Sequence, residues 1–263
     1  MIIVRIIGGL GNQMFQYAFY KNLESKYPNV KCDVIGYNNY KLHNGFNLEQ
    51  AFNLNTNKAT IEEIKSVTNI YSNSIIIKLI RKAFGEKNSH INENYFNWEL
   101  LESGKDLYFD GYWQSEKFFG QEEQLKSDFI FRKDTNKVQE KVAELILTCN
   151  AVSLHIRRGD YIGNKTYVTL NEEYYNTSIS IIQNKVNNAV FFVFSDDTAW
   201  VKENIFNHLK SKTNIVFVNN DVEKPHNDMM LMSLCKHNII ANSSFSWWGA
   251  WLNKNDKKII IAP

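Results

Sequence analysis

The second half of the sequence alternates short apolar runs with longer segments of helical period, and this alternation restricts the fold more than any other feature. The runs predict strands at residues 151–156, 189–195, 214–218, 238–242 and 258–262. The segments between them predict helices at residues 171–186, 198–209, 226–236 and 244–253. Short apolar strands separated by helices form a parallel sheet that is covered on both faces. The pattern therefore predicts an α/β class and a Rossmann-like domain.

The N-terminus begins with a strand, a glycine turn and a helix. Residues 2–7 are apolar apart from Arg5 and predict a buried strand. The glycines at 8, 9 and 11 predict a tight turn, and the apolar residues of 14–23 have helical spacing. A helix that starts at such a turn offers unpaired N–H groups to a ligand. Residues 121–149 predict one long helix between domains, and we place the domain boundary between residues 149 and 150.

Composition and charge exclude several classes of protein. With 44% hydrophobic residues the chain can build a large core, and a net charge of +2 is too small for a protein that binds nucleic acid by neutralising many phosphates. Three widely spaced cysteines predict reduced thiols in a cytosolic protein. The sequence contains no run of about eighteen apolar residues, so no membrane span is predicted. The basic residues 78–90 predict a solvated helix face rather than a binding patch.

The strongest functional signal lies where the strand at 151–156 ends. The residues there are His155, Arg157, Arg158, Gly159 and Asp160. Guanidinium groups match phosphate oxygens, a glycine lets a ligand approach the backbone, and ligands of open α/β sheets collect at the carboxyl ends of strands. An anion site is one interpretation. A salt-bridge cluster in which Asp160 neutralises an arginine is the other, and spacing alone leaves both open.

Two more strand ends carry polar residues. Asp196 follows the second strand of this half, and a serine-rich turn follows the fourth; the polar residues of the turn are Asn242, Ser243, Ser244 and Ser246. Hydroxyl and N–H groups at a helix start bind phosphate, although one serine would suffice for an ordinary N-cap. Trp247 and Trp248 are predicted to pack and hold the turn rigid.

An aromatic segment in the first half suits a sugar. Most of its rings predict core packing, but Gly111 is followed by Tyr112 and Trp113 with polar neighbours Gln114 and Glu116. An aromatic face beside amide and carboxylate groups can pack against the C–H groups of a sugar and bind its hydroxyls.

A dinucleotide-binding domain is a competing interpretation of the N-terminus. Gly9 and Gly11 match the first two glycines of the fingerprint, and Asp33 stands where the ribose-binding acid would be. Met14 occupies the position of the third glycine, and this weakens the match. An NAD(P)-dependent oxidoreductase therefore remains an alternative.

Three motifs in order along the chain resemble those of the α-1,2-fucosyltransferases of glycosyltransferase family 11. They are residues 8–18 (GGLGNQMFQYA), 155–161 (HIRRGDY) and 243–251 (SSFSWWGAW), and residues 111–116 and 235–237 add to the match. The resemblance implies a GT-B-like fold of two Rossmann-like domains facing across a cleft. Residues 1–149 would form the acceptor side and residues 150–263 the domain that binds GDP-fucose. It implies inverting, metal-independent transfer of L-fucose from GDP-β-L-fucose to galactose O2 of an oligosaccharide, with no cofactor.

The resemblance also implies roles for single residues. Arg157 would contact the β-phosphate of the donor, Asn12 would face the reacting carbon or the acceptor, and Asp160 completes the catalytic set. The general base stays open among Asp160, Asp228, Glu116 and Asp110. Donor contacts are expected from Gly9, Gly11, His155, Arg158, Asp196, His237, Asn242, Ser243, Ser244 and Ser246. Acceptor contacts are expected from Tyr112, Trp113, Gln114 and Glu116.

Further expectations concern partners and location. The resemblance to bacterial members implies a cytoplasmic enzyme, attached peripherally to the inner membrane if its acceptor is a lipid-linked oligosaccharide. It also implies a further C-terminal segment after Pro263. Residues 221–223 (DVE) are the nearest approach to a metal-binding motif, and they predict a helix lead-in before Pro225. A third hypothesis is a non-catalytic nucleotide-sugar or glycan-binding module, which would bind GDP without turnover.

Overall fold

The computed structural model describes residues 1–39, 45–71, 75–85, 87–133, 135–159, 161–163, 168–206, 213–219 and 223–263. These residues form two compact units, Met1–Arg132 and Lys133–Pro263. Each unit contains a parallel sheet with helices between its strands. The predicted α/β class with two Rossmann-like domains is confirmed.

The first unit contains a four-stranded sheet in the order β2-β1-β4-β3. Its strands are β1 (Ile2–Arg5), β2 (Val30–Asp33), β3 (His90–Asn92) and β4 (Leu107–Asp110). Its helices are α1 (Leu10–Glu24), α2 (Leu48–Ala51), α3 (Ile61–Val67), α4 (Ile75–Phe84) and α5 (Glu122–Asp128). Short 3₁₀ turns cover Ile35–Asn39, Glu93–Tyr95, Trp98–Ser103 and Glu116–Phe118. Strands β3 and β4 were not predicted, because runs of three and four residues are too short to show a period.

The second unit contains a five-stranded sheet in the order β7-β6-β5-β8-β9. Its strands are β5 (Asn150–Ile156), β6 (Ala189–Ser195), β7 (Asn214–Phe217), β8 (His237–Ile239) and β9 (Ile260–Ile261). Its helices are α6 (Lys137–Thr148), α7 (Glu172–Lys185), α8 (Thr198–Val201, continued by a π-helical turn, Lys202–Phe206), α9 (Pro225–Leu234) and α10 (Ser244–Trp251). This is the Rossmann strand order, which reverses between β5 and β8. All five strands had been predicted.

The single long helix predicted over residues 121–149 is wrong. The structure has two helices, because Phe129 leaves the helical path after α5 and packs in the first unit against Phe52, with ring centroids 5.0 Å apart. Helix α6 starts anew at Asn136, whose side chain accepts hydrogen bonds from two backbone N–H groups in a capping box with Gln139. Helix α6 then packs on β5 and α9. The division between the units therefore precedes α6 instead of following it.

Cys32 and Cys235 are buried and Cys149 is half-buried, all as free thiols, and burial raises the pKa of each. The thiols therefore stay protonated near neutral pH. In the described part of the chain, no helix has the length and apolarity needed to cross a membrane.

Candidate active site

The strand order of the second sheet reverses between β5 and β8, and the arginine motif and the serine turn follow these two strands. Arg157 comes directly after β5, and Asn242 and Ser243 follow β8 by a few residues. Loops diverge at such a switch point and leave a crevice for a ligand. The Tyr161 hydroxyl donates to the backbone carbonyl of Asn242 at 3.2 Å and links the two loops. The structure therefore brings the two predicted phosphate-binding segments together.

Asp196, at the end of the adjacent strand β6, organises the arginine loop. Its carboxylate pairs with the Arg157 guanidinium at 3.1 Å and accepts a hydrogen bond from the Arg158 backbone N–H at 2.9 Å. A Cβ at Gly159 would lie 3.0 Å from this carboxylate, so glycine permits the close approach. The salt-bridge interpretation therefore has a basis in Asp196. Asp160 lies outside the described residues.

Arg158 braces the loop. Its guanidinium carbon lies 3.8 Å from the centroid of the Trp200 ring, and its Nε donates to the Asp197 carboxylate at 3.2 Å. Asp197 in turn caps α8 by accepting from the Trp200 N–H at 3.1 Å. Stacking and pairing hold the Arg158 side chain against its own unit. The Arg157 side chain remains 30% exposed and is the arginine that a ligand can reach from solvent.

His155 is buried in β5 beside the arginines. Burial, with a smaller contribution from the Arg157 charge, lowers the pKa of His155 to about 3. The imidazole is therefore neutral at physiological pH. Its Nδ1 is buried and has no hydrogen-bond partner in the described part of the structure. Buried polar atoms are rarely left unsatisfied, so a bound water or ligand is expected there.

The buried imidazole predicts a loss of stability in acid. A histidine in the unfolded chain has a pKa of about 6.5, so between this pH and about pH 3 the unfolded chain binds a proton that the folded protein does not. The contribution of neutral His155 is complete above this window and is lost as the pH falls through it, by up to about 1.4 kcal/mol per pH unit. Urea unfolding of wild type and His155→Gln at several pH values measures it. The stability difference should shrink in acid, and a constant difference contradicts the prediction.

The serine turn serves partly as an N-cap. Ser243 precedes α10, and its hydroxyl accepts from the Phe245 N–H at 3.3 Å. Ser246 is buried, and its hydroxyl donates to the carbonyl of Ser243 at 3.3 Å, so in this structure the hydroxyl serves the turn itself. The Asn242 side chain donates to the backbone carbonyl of Val168 at 2.8 Å. The half-buried Ser244 and the first N–H groups of α10 remain the predicted phosphate-binding part of the turn.

The structure does not place His237 at the donor site. His237 begins β8 and pairs in register with Val152, near the amino end of β5. Its Nδ1 accepts a hydrogen bond from the Ile259 N–H at 3.1 Å. All strands of this sheet are parallel, so His237 lies toward the edge opposite to the arginine motif. The structure therefore gives no support to its predicted contact with the donor.

In the first unit, two side-chain amides of α1 fix the loops that follow β1 and β4. The Gln16 amide accepts from the Ile7 N–H and donates to the Gly111 carbonyl, both at 2.9 Å. The Gln13 amide donates to the Gly8 carbonyl at 2.9 Å. Gly8 has a φ of +80°, and a Cβ there would lie 2.9 Å from the Asn12 side chain. Gln13 and Gln16 were not predicted as site residues. The sequence signal that could have identified them is the presence of two glutamines near the start of a helix that follows a glycine turn.

The loop after β4 carries the predicted acceptor residues. The Gln114 amide donates to the Asn12 Oδ1 at 2.7 Å, so the structure joins these two candidates. Tyr112 is 42% exposed, and Glu116 is exposed as well. Glu93 had not been predicted. Its carboxylate accepts from the N–H groups of Tyr112 and Trp113 at 2.8 and 2.9 Å and anchors the loop.

Trp113 is a correction to the predicted acceptor site. Its ring is fully buried and stacks on Phe19, with centroids 4.1 Å apart. Phe96, Phe109 and Phe118 surround it in edge-to-face contacts. Its φ of +55° turns the side chain inward while its neighbours stay on the surface. The ring therefore belongs to the core and is not available to a sugar.

The residues that favoured a dinucleotide are used inside the first unit. The Asp33 carboxylate is buried and accepts from the Tyr108 hydroxyl at 2.6 Å and the Ile35 N–H at 2.9 Å. Gly9 stands at the N-cap of α1, and Gly11 is buried in its first turn. Asp33 is therefore occupied by internal hydrogen bonds, and the oxidoreductase alternative loses its ribose-binding acid.

The structure also separates the candidates for the general base. Asp110 pairs with Arg5 at 2.8 Å and His90 at 3.3 Å. Burial opposes its ionisation, but these two partners outweigh burial and hold the pKa of its carboxyl below the usual value. Asp110 is therefore a poor proton acceptor. Asp228 is buried in α9, Glu116 is exposed, and Asp160 lies outside the described residues. Residues 221–222, part of the nearest approach to a metal-binding motif, also lie outside them.

Each of the two units is an α/β unit with a parallel sheet, and the second carries an arginine and a helix start at its switch point, which defines a Rossmann-like class of protein suited to a phosphate-bearing ligand. The chain matches the description "Glycosyl transferase family 11" over residues 1–263. It is 36% identical to an "Alpha-1,2-colitosyltransferase" of Escherichia coli, covering 100% of this chain and 91% of that protein. It is 32% identical to "O-antigen biosynthesis glycosyltransferase WbnK" of Escherichia coli, covering 97% and 91%.

A solved structure shares the fold. The NodZ alpha-1,6-fucosyltransferase soaked with GDP-fucose aligns with a TM-score of 0.52 and 14% identity, covering 94% of this chain and 90% of that one. The likeness supports the GT-B-like fold class. The chain belongs to glycosyltransferase family 11 and is a glycosyltransferase.

Proposed function

We propose that this glycosyltransferase moves L-fucose from GDP-β-L-fucose to O2 of a galactose in an oligosaccharide, with inversion and without a metal ion. The observation that carries the proposal is Arg157, which stands at the switch point of the second sheet and is held there by Asp196. Departure of GDP develops negative charge on the β-phosphate. A fixed guanidinium stabilises that charge more in the transition state than in the ground state.

The remaining residues support the donor and the acceptor. Ser244 and the start of α10 would meet the diphosphate, and the neutral His155 would supply or accept a hydrogen bond nearby. In the first unit, Asn12 and Gln114 present a joined pair of amides, with Tyr112 exposed on the same loop. Amides and an aromatic face suit a galactose acceptor. Two relatives, the α-1,2-colitosyltransferase and the O-antigen biosynthesis glycosyltransferase, support a surface oligosaccharide as the source of this galactose.

A second candidate is transfer of colitose in the same linkage. It is favoured by the colitosyltransferase of Escherichia coli, which is 36% identical to this chain over its whole length. We further propose a cytoplasmic location with peripheral attachment to the inner membrane, because a lipid-linked acceptor would be presented there.

The proposal predicts transfer in EDTA. The protein is incubated with GDP-β-L-fucose and a galactose-terminated oligosaccharide, and NMR of the product is expected to show a new α-1,2 linkage. A colitosyl donor run in parallel decides between the two sugars. Turnover only with an added divalent cation contradicts metal independence. GDP binding without transfer of either sugar favours a binding module. A change in NADH fluorescence when the protein is added favours the oxidoreductase.

A further inference from the structure

Helix α4 exposes three large aliphatic side chains. Ile75, Ile76 and Leu79 are 75%, 69% and 60% exposed. At about 100° per residue, positions 75 and 79 lie within about 40° of each other and position 76 lies next to them, so the three share one face. Ala83 and Lys82 are exposed on the turn that follows. Exposed aliphatic residues that form a stripe, unlike scattered ones, mark an interaction site.

The same segment concentrates positive charge. Residues 75–90 contain Lys78, Arg81, Lys82 and Lys87 against one acid, Glu86, and so carry a net charge of +3. The whole chain has a net charge of +2, so all the other residues together carry −1. Helix α4 itself contains no acidic residue. The most basic part of the chain therefore coincides with the aliphatic stripe.

We propose that α4 docks on an anionic lipid bilayer and lies in its interface. An amphipathic helix whose sequence combines lysine and arginine with exposed aliphatic residues has the composition that binds such surfaces. With 10 residues, α4 is about 15 Å long, half of the roughly 30 Å hydrocarbon core, so it lies in the surface and does not span it. This inference deepens the peripheral attachment proposed above and rests on it.

Charge favours lipid over a second copy of the chain as the occupant of this face. Two α4 helices packed against each other would bring two segments of net charge +3 together. Like charges at an interface repel and disfavour association. An anionic membrane surface has the complementary charge and accepts the aliphatic side chains between its headgroups. The basic residues of 78–90, predicted to form a solvated helix face, thus acquire a role in binding lipid.

The test is sedimentation of the whole protein with phosphatidylcholine vesicles that contain or lack phosphatidylglycerol. Wild type is expected to bind the anionic vesicles and to be released by high salt. The variant Ile75→Ser/Ile76→Ser/Leu79→Ser should bind at least about tenfold more weakly, since each aliphatic side chain loses its burial in lipid. The matched control is Val138→Ser/Leu147→Ser, which removes two exposed aliphatic residues from α6, and it should bind like wild type. Lys82→Glu should weaken binding to anionic vesicles only.

Three outcomes overturn the inference. Wild type does not bind either vesicle, or the α4 variant binds as well as wild type does. The third outcome is that wild type forms a dimer without lipid and the α4 variant is a monomer in analytical ultracentrifugation, which assigns the face to a second copy. Turnover with a water-soluble acceptor is measured on the same samples. If wild type turns over normally but does not bind vesicles, the proposal for α4 fails and the proposed function stands. If wild type binds vesicles but shows no turnover, the proposed function fails instead.

Discussion

Arg157→Ala is expected to lower kcat by roughly 30- to 1000-fold, which corresponds to about 2–4 kcal/mol of transition-state stabilisation. The reason is the position of the guanidinium at the switch point, where Asp196 fixes it at 3.1 Å and no side-chain reorganisation is needed during the reaction. Steady-state kinetics with the fucosyl donor measure the effect. Calorimetric titration of GDP in EDTA is expected to show weaker binding as well, because the ground-state diphosphate also carries negative charge.

Two controls keep this prediction interpretable. Arg157→Lys retains the charge but not the planar fork, so its kcat should fall between those of wild type and Arg157→Ala. Thermal unfolding of each variant shows whether the second unit remains folded. A folded Arg157→Ala enzyme with nearly normal kcat would remove Arg157 from the catalytic role. The ion pair between Arg157 and Asp196 would then have only a structural role.

Trp113→Ala is expected to destabilise the first unit by about 3–5 kcal/mol, as large aromatic truncations in a core do. Its ring is fully buried and stacks on Phe19 at 4.1 Å, so alanine leaves a cavity among the surrounding phenylalanines. Urea unfolding followed by circular dichroism measures the change. At a temperature where the variant is folded, its KM for the acceptor is expected to stay close to that of wild type, because the buried ring is not accessible to a ligand.

The neighbouring residue provides the matched control. Tyr112→Ala removes a ring that is 42% exposed on the same loop, so stability should change by less than about 1 kcal/mol. Its effect should appear in KM for the acceptor instead. If Trp113→Ala raised KM for the acceptor and left stability unchanged, the core assignment would be wrong. The original prediction of an acceptor-binding indole would then stand.

Much of the fold was predictable because its physical causes are local. Strands β5 and β6 are buried on both faces and therefore appear in the sequence as apolar runs, and the helices between them show their period. The capping box that starts α3 joins Thr60 to Glu63, only three residues away, so its cause is local as well. Strand β3, with only three residues, depends on its neighbour β4 for its existence and gave no such signal.

The sequence by itself determined the α/β class, the order of the motifs and the position of Arg157 at a strand end, since these follow from periodicity and neighbouring residues. Only the tertiary structure decided which side chains face a ligand. It turned Trp113 into the core, used the Ser246 hydroxyl internally and placed His237 toward the opposite edge of the sheet. It also paired Asp196 with the arginine loop, although 38 residues separate it from Arg158. Such choices depend on which strands lie side by side and which way each residue points, and these are properties of packing over long sequence distances.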